Sequence, residues 1–487
     1  MMSKINNFNE LNTKKYYIKK KDFNEKIITK KKIVSIKSKS KGKTKKKNIK
    51  PTKRNTIFTK RKRVKKQKNN TKNISNKKIN SSKNLIKNII NNSTTNPIKI
   101  NKSFFDKLPF KDSYQKNIQY RIISNFNSLK NKKIDTSVIE SYRKKFKKKK
   151  LEKVIRLNLE NDHKMLKFPL GLYKIRNNDI SISEDFKDII IKQDNRLEIM
   201  LSLFKKTIKW ALKNNLKVPN TDIYFWIKDE VPFLDNDFDN FPLWVFAKPL
   251  NTNFILCPNN AFECFQMEKK YKGKCYDWDA LKEKINENCV KNIDKREDKI
   301  YFKGVNTTIK NNNIRYNFYK LQFNKYNKLP LEVKLDGFKK YEPFYNVCNY
   351  KYLLNLPGKA AWSYRLQNCL LTKSININID LENFSDKDNW YNERYITFIN
   401  YIVNYNYFIN IKYIFNEDKG INSLENRLEF NKAVKKINNV YNYIKKNKKK
   451  YKIMTENAHK KVYKLTNERI YQSIYLMFCY QSQFKFV

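Results

Sequence analysis

The sequence predicts an α/β protein with two units of alternating strands and helices. In the run from Val347 to Ser374, an apolar segment of strand length, a Pro-Gly turn and a helix-like segment follow one another. Strand-like and helix-like segments also alternate on both sides of residue 295. In a chain of 487 residues, 40% hydrophobic and 14% aromatic residues suffice for two cores. We therefore expect two lobes, with a ligand cleft at the carboxyl ends of the strands.

The first unit is expected to span residues 151–295 and to open with a β-hairpin over 169–182, whose turn is Asn177-Asn178-Asp179. Residues 195–214 have apolar residues at helical spacing. The predicted apolar face of this helix consists of Leu197, Met200, Leu201, Leu203, Phe204, Ile208 and Leu212. Strands are predicted at 222–227, 243–247 and 253–257, and a helix at 278–288.

The second unit is expected to span residues 296–487. It begins where the charged stretch 294–298 gives way to a predicted strand at 299–303. The elements predicted after it are a helix near 315–323, a strand at 350–356, a helix at 360–371, a strand at 374–380, a strand near 407–415, and helices from 424 onward.

The N-terminal third differs in charge from the rest of the chain. Residues 1–150 contain 48 Lys and Arg and 7 acidic residues, which is a net +41 of the total +61. Such a segment buries too little apolar surface to offset its chain entropy, so we expect a largely disordered basic extension with short helices between residues 104 and 150. Residues 1–100 would bind nucleic acid, an acidic membrane or another polyanion, and charge alone does not choose among these partners.

Several classes of protein are disfavoured by what the sequence lacks. No apolar run approaches the roughly 20 residues that span a bilayer, and the first residues have no apolar signal-peptide core. A cytoplasmic protein without a transmembrane segment is the default expectation. The seven cysteines include no Cys-x-x-Cys pair and are accompanied by two histidines, which argues against a zinc site. Buried, reduced thiols are the expected state of the cysteines.

Gly358, directly before the helix predicted at 360–371, marks an expected phosphate site. A glycine turn that opens a helix exposes backbone N–H groups and the positive end of the helix dipole. Ser363 and Arg365 in the first turns of the helix would add charge-assisted hydrogen bonds. The same turn also occurs in structural βαβ units, in which Arg365 would be incidental.

The run Tyr350–Leu371, which contains Asn355-Leu-Pro-Gly358 and Arg365-Leu-Gln-Asn-Cys-Leu-Leu371, resembles the signature of glycosyltransferase family 90. This family includes capsule-associated proteins and protein O-glucosyltransferases. Segments at 222–248, 300–315 and 458–483 resemble further family segments in the same order, so the resemblance covers residues 167–483. It implies a GT-B fold of two Rossmann-type lobes. It also implies inverting, metal-independent transfer of a hexose or pentose from a UDP-sugar to a hydroxyl of a protein or glycan.

The resemblance assigns the general base to Asp229, which closes a predicted buried strand. The strand before Asp229 is shorter than in the family, so Glu230 is the alternative base, and a simple turn residue is a further interpretation. Two Asp-x-Asp patterns, Asp235–Asp239 and Asp277–Asp279, match those of metal-dependent glycosyltransferases. Both are expected to be hydrophilic loops and not metal sites.

The nucleotide-sugar contacts implied by the resemblance are Lys303, Gly304, Asn306 and Thr307, which follow a strand and precede a polar loop. The family usually has arginine at position 303, and lysine reduces that bidentate fork to a point charge. Arg315 would flank the diphosphate or, in so basic a chain, be a solvated side chain.

Four aromatic residues, Tyr350, Tyr352, Trp362 and Tyr364, would stack on a uracil or sugar ring or belong to the core.

A disulfide within residues 257–289, as in some secretory relatives of the family, stays open as an alternative to reduced thiols. Two rival functions also stay open: a basic RNA-associated or ribosome-associated binding protein, and an inactive glycosyltransferase-like module.

Overall fold

The computed structural model describes residues 100, 102–129, 133–139, 141, 144, 170–183, 196–227, 241–249, 252–266, 275–306, 314–335, 343–358, 365–384, 395–403, 406–416 and 423–486. The helices are α1 (Lys102–Asp106), α2 (Ser113–Asn127), α3 (Arg196–Lys213), α4 (Trp278–Asn288), α5 (Ile314–Leu321), α6 (Arg365–Cys369), α7 (Leu424–Lys446), α8 (Lys448–Tyr463) and α9 (Asn467–Gln481). The strands are β1 (Leu170–Arg176), β2 (Asp179–Ile182), β3 (Thr221–Trp226), β4 (Trp244–Val245), β5 (Ala247–Pro249), β6 (Ile255–Leu256), β7 (Phe265–Gln266), β8 (Cys275–Tyr276), β9 (Glu297–Lys303), β10 (Leu331–Lys334), β11 (Tyr350–Asn355), β12 (Ile375–Phe384), β13 (Tyr395–Thr397) and β14 (Ile409–Asn416).

The first large sheet is mixed, with the strand order β2-β1-β3-β4-β6. Strand β1 pairs antiparallel with β2 and β3, whereas β3, β4 and β6 run parallel. The predicted hairpin is confirmed. Asn177 and Asn178 have φ values of 51° and 65°, the left-handed conformation that a two-residue hairpin turn requires and that asparagine tolerates.

The predicted helix at 195–214 is confirmed as α3, which covers one face of the first sheet. Its Phe204 ring packs edge to face against Trp244 of β4 and Phe478 of α9, with centroids 5.9 and 5.5 Å apart. Leu212, expected on the apolar face, is 44% exposed, so that prediction was wrong. The last buried positions of α3 are Trp210 and Ala211, and the next residue is turned about 100° further around the helix axis, toward solvent.

The C-terminal helix α9 packs on the first sheet, although its sequence lies in the second predicted unit. Trp244 donates a 2.9 Å hydrogen bond to Gln481, and Gln481 donates to the backbone carbonyl of Asp222 at 3.0 Å. Helix α2, within the predicted basic extension, packs on α9 through buried Ile118, Ile122 and Phe126. The chain therefore begins and ends its described fold on the same side of the molecule.

The second large sheet is entirely parallel, with the strand order β10-β9-β11-β12-β14. Helices α5 and α7 cover one face through a second core that includes Phe318, Ile377 and Ile437. The predicted α/β class is thus confirmed, with two sheets that are rich in parallel strands. Within the described ranges, no helix combines the length and the apolar character needed to cross a membrane.

Two disulfides correct the expectation of reduced thiols, and one of them lies within residues 257–289, where a disulfide was the open alternative. Cys264 pairs with Cys275 between β7 and β8, and Cys289 at the end of α4 pairs with Cys348 before β11. Cys257, Cys369 and Cys479 are buried thiols, as expected. Each pair is separated in sequence and is brought together only by folding, which is why spacing did not reveal it. Structural disulfides persist mainly in oxidising compartments, so these bridges favour such a compartment over the cytoplasmic default.

The two disulfides are expected to differ in their effect on stability. Cys289–Cys348 closes a loop of 59 residues and Cys264–Cys275 a loop of 11. Loop-closure entropy then makes loss of the long-loop bridge about 1.5 kcal/mol more costly in the free energy of unfolding. Urea denaturation of Cys289→Ala/Cys348→Ala and of Cys264→Ala/Cys275→Ala measures this difference. Equal losses in the two double variants would contradict it.

Candidate functional site

The parallel sheet has a topological switch point between β9 and β11. The chain leaves β9 through α5 to β10 on one side, and leaves β11 through α6 to β12 on the other side. In open α/β sheets of this strand order, ligands bind in the crevice at the carboxyl ends of the two strands that flank the switch. Here those ends are Lys303-Gly304, after β9, and the segment 356–358, after β11.

Gly304 and Arg365, predicted separately from the sequence, lie against each other at this switch point. The Arg365 guanidinium lies over the Phe302 ring, 4.7 Å from its centroid. A Cβ atom at position 304 would lie 3.1 Å from Arg365 Nη2 and 2.9 Å from Phe302 Cζ. Glycine therefore leaves room for the guanidinium to approach the backbone at the end of β9.

Arg315 joins the two strand ends. Its Nε donates to the carbonyl of Pro357 at 2.8 Å, its Nη1 to the carbonyl of Val305 at 2.8 Å, and its Nη2 to the carbonyl of Leu356 at 3.2 Å. The side chain is buried and its guanidinium lies 5.3 Å from the Phe302 centroid. Arg315 is thus not a solvated side chain. It sets the distance between the loops that follow β9 and β11 and adds a buried positive charge there.

Among its described residues, this edge of the sheet carries more basic than acidic side chains. In the described segments 300–306, 331–335, 354–358 and 365–369, the only acidic residue is Glu332. Its carboxylate pairs with Lys299 at 2.8 Å and with Lys334 at 3.2 Å. Lys303 is half-buried at the end of β9, directly opposite Lys334 in the strand register. Cationic groups in excess over carboxylates favour an anionic ligand.

A ladder of amide side chains crosses the sheet beside the switch point. Asn355 of β11 donates to Asn378 of β12 at 2.6 Å, and Asn378 donates to Asn410 of β14 at 2.7 Å. Asn410 donates in turn to the carboxylate of Asp380 at 2.9 Å. The Asn355 Oδ1 atom is buried and has no hydrogen-bond partner within the described part of the chain. It is therefore an acceptor at the edge where a ligand would bind.

Sequence reasoning missed this ladder. The alternation Asn376-Ile-Asn-Ile-Asp380, within the segment 374–380, predicts a strand and does not show which side chains pair across the sheet. Asparagine is depleted in strands, and residues at every second position of a strand lie on the same face of the sheet. Repeated polar residues at these positions were therefore the available sign of a polar face on a buried strand.

Burial changes the pKa of Cys369 in α6 and of Lys248 in β5, which lies outside the parallel sheet. Burial raises the pKa of the Cys369 thiol to about 12, while the charge of Arg365 acts in the opposite direction. Burial also lowers the pKa of Lys248 to about 8. The Lys248 ammonium donates to Asn125 Oδ1 and to the carbonyl of Thr252, both at 2.8 Å. Cys369 is thus an unreactive thiol at neutral pH. Through its two hydrogen bonds, Lys248 connects α2 to the loop after β5.

The other predicted site residues are distributed as follows. Gly358 is half-buried after β11, and Asn306 is exposed after β9. Asp229, Glu230, Thr307, Ser363, Trp362, Tyr364 and the Asp235–Asp239 pattern lie outside the described residues. Strand β3, which precedes Asp229, ends at Trp226 in the middle of the first sheet.

The two aspartates of the second Asp-x-Asp pattern have structural partners. Asp277 caps helix α4 by accepting a 3.0 Å hydrogen bond from the Ala280 backbone. Asp279 pairs with Lys282 at 2.6 Å and accepts from the Asn467 backbone at 2.9 Å. Asp277 thereby caps α4, and Asp279 fixes α4 to the start of α9.

The aromatic residues of β11 belong to the core. Tyr350 stacks on Tyr301 with ring centroids 4.0 Å apart, and Tyr352 packs edge to face on Tyr441 at 5.2 Å. Both tyrosines are buried, which favours the core interpretation over ring stacking with a ligand.

No protein-family model matches this chain, and no curated protein matches it either.

Proposed function

We propose that the protein is an inverting glycosyltransferase that moves a hexose or pentose from a UDP-sugar to a hydroxyl of a protein or glycan acceptor. In this proposal the two sheets are the cores of two Rossmann-type lobes in a GT-B arrangement. The observation that carries the proposal is the switch point of the parallel sheet, where Gly304 and Arg365 are in contact at an edge whose described side chains are more basic than acidic. Such an edge suits the diphosphate of a nucleotide sugar.

The cationic groups of this edge have a chemical role in sugar transfer. As the bond between the anomeric carbon and the diphosphate breaks, negative charge develops on UDP, and fixed positive groups stabilise that charge. Arg365 provides a planar fork and Lys303 a point charge. Arg315, whose donors hold three backbone carbonyls, adds charge and keeps the two loops in place.

The base in this proposal is Asp229. The acceptor oxygen attacks the anomeric carbon from the side opposite the diphosphate, so the configuration inverts. The hydroxyl proton passes to the carboxylate of Asp229, or of Glu230 if that neighbour is the base. The electron pair of the bond between the anomeric carbon and the diphosphate oxygen leaves with UDP.

Calorimetry with UDP and a hydrolysis panel of nucleotide sugars test the proposal. The full chain is the correct material, because α2 packs on α9 and a start near residue 151 would remove that helix. We expect UDP to bind and UDP-sugars to be hydrolysed slowly without acceptor, with no need for added Mn²⁺. GDP-sugars and ADP-sugars serve as controls for selectivity toward the uracil nucleobase. Failure of the folded protein to bind any nucleoside diphosphate would rule out the donor site.

A further inference from the structure

A second electropositive cavity lies away from the candidate donor site. Its volume is about 460 Å³, and it opens between α2, α8 and the 3-10 helix Phe398–Tyr401. None of its lining residues belongs to the parallel sheet or to the segments around Gly304 and Arg365. The size falls within the range of roughly 300–1,000 Å³ that is usual for small-molecule sites.

The cavity is lined by positive charges without matching negative ones. Lys460, Lys461 and Lys464 line it, and none of its described lining residues is acidic. Within the described residues, neither Lys460 nor Lys461 has a carboxylate at ion-pair distance. Concave surfaces of one sign concentrate counter-ions more strongly than flat ones.

The nearest carboxylate, that of Asp112, is already engaged. Arg469 Nη1 and Nη2 donate to its two oxygens at 3.1 and 2.6 Å, and Lys464 is 3.6 Å away. The hydrogen bond from Arg469 holds the pKa of Asp112 well below its usual range, so the pair stays ionised. With Arg469 pairing with Asp112, the lysine charges stay in excess at the cavity.

The walls of the cavity are held in place by contacts within the protein. The Tyr114 hydroxyl donates to the carbonyl of Lys461 at 2.9 Å, which joins α2 to α8. The ammonium of Lys464 lies 5.3 Å from the Tyr114 ring centroid, and that of Lys461 lies 6.0 Å away. Ser113 and Asn117 add a hydroxyl and an amide to the lining. Walls that are already held in place reduce the entropic cost of binding.

We infer that this cavity binds a small ligand that carries two or more phosphate groups. Three ammonium groups carry more positive charge than the one or two negative charges of a single phosphate, and their N–H donors suit phosphate oxygens. A half-open concavity of this limited volume fits a compact polyanion better than an extended nucleic-acid strand, which requires a long groove. The inference is independent of the proposed sugar transfer, because the two sites share no residue.

Inorganic tripolyphosphate is the probe, and the thermal midpoint of the full-length protein is the measurement. At a saturating concentration we expect the midpoint of the wild type to rise by about 2–5 °C. The variant Lys460→Ala/Lys461→Ala/Lys464→Ala should lose most of this shift, and the remainder would come from binding of the probe at the candidate donor site. The control Lys448→Ala/Lys449→Ala/Lys450→Ala removes the same charge from the exposed start of α8 and should keep it. Arg365→Ala should also keep it.

A second measurement does not depend on how the variants fold. Amine acylation of the wild type, followed by mass spectrometry, should show that tripolyphosphate protects the three cavity lysines at least threefold more than Lys448–Lys450. Equal midpoint shifts in all four proteins would overturn the inference, because the anion would then bind elsewhere. Equal protection of the cavity lysines and of Lys448–Lys450 from acylation would overturn it as well. Binding of inorganic phosphate as tight as that of tripolyphosphate would overturn the requirement for several phosphate groups.

Discussion

Replacement of Arg365 by alanine is expected to weaken UDP binding roughly 10- to 100-fold, or about 1.5–3 kcal/mol, as expected for loss of a hydrogen bond to a charged group. The guanidinium lies over Phe302 and beside Gly304, at the carboxyl end of β9. It is therefore held where the diphosphate would lie. Titration calorimetry at a fixed salt concentration measures the change.

Two further variants separate the geometry of Arg365 from its charge. Arg365→Lys keeps the charge but loses the planar fork, so an intermediate affinity is expected. Arg427→Ala removes an arginine charge from the exposed face of α7 and should leave UDP affinity unchanged. If Arg427→Ala weakened binding as much as Arg365→Ala does, general electrostatic attraction would account for UDP binding, and the specific role of Arg365 would be lost.

The largest expected effect is on turnover. Asp229→Asn removes a proton acceptor at almost constant shape, so sugar transfer should fall roughly 10²- to 10⁴-fold, the usual contribution of general-base catalysis. UDP affinity should stay close to that of the wild type, because the base contacts the acceptor and not the nucleotide. Steady-state transfer rates and calorimetry on the same preparation measure the two quantities.

Glu230→Gln is the matched variant for this prediction. If Asp229→Asn is active and Glu230→Gln is not, the base is the neighbour and the strand alignment is wrong by one residue. Full activity of both variants would remove the catalytic assignment altogether. Complete inhibition by EDTA would instead point to the Asp235–Asp239 pattern as a metal site.

The elements that sequence periodicity predicted well are those governed by local interactions. The helix predicted at 278–288 has those bounds, and the hairpin turns at the predicted asparagines, Asn177 and Asn178. Bounds were less accurate where packing matters. The strand predicted at 243–247 is divided between β4 of the large sheet and β5, which pairs with β13. Local sequence does not specify which partner a short strand will find.

Part of the candidate site could also be predicted from the sequence. Gly304, Gly358 and Arg365 follow strands or a turn, and residues at the carboxyl ends of strands converge in any parallel sheet. The contact between Gly304 and Arg365 could not be predicted, because it depends on the order of strands. The same holds for the three carbonyls that Arg315 binds, which lie 10, 41 and 42 residues away in sequence.

Composition, charge and periodicity were thus sufficient for the α/β class, for most strands and helices, and for the candidates at strand ends. These properties depend on neighbours a few residues apart, which a linear sequence displays directly. The 2-1-3-4-5 order of the parallel sheet, the two disulfides, the asparagine ladder and the lysine-lined cavity depend on the folded chain. Each of them joins residues from distant segments, and their proximity arises only when the cores of the two sheets are packed.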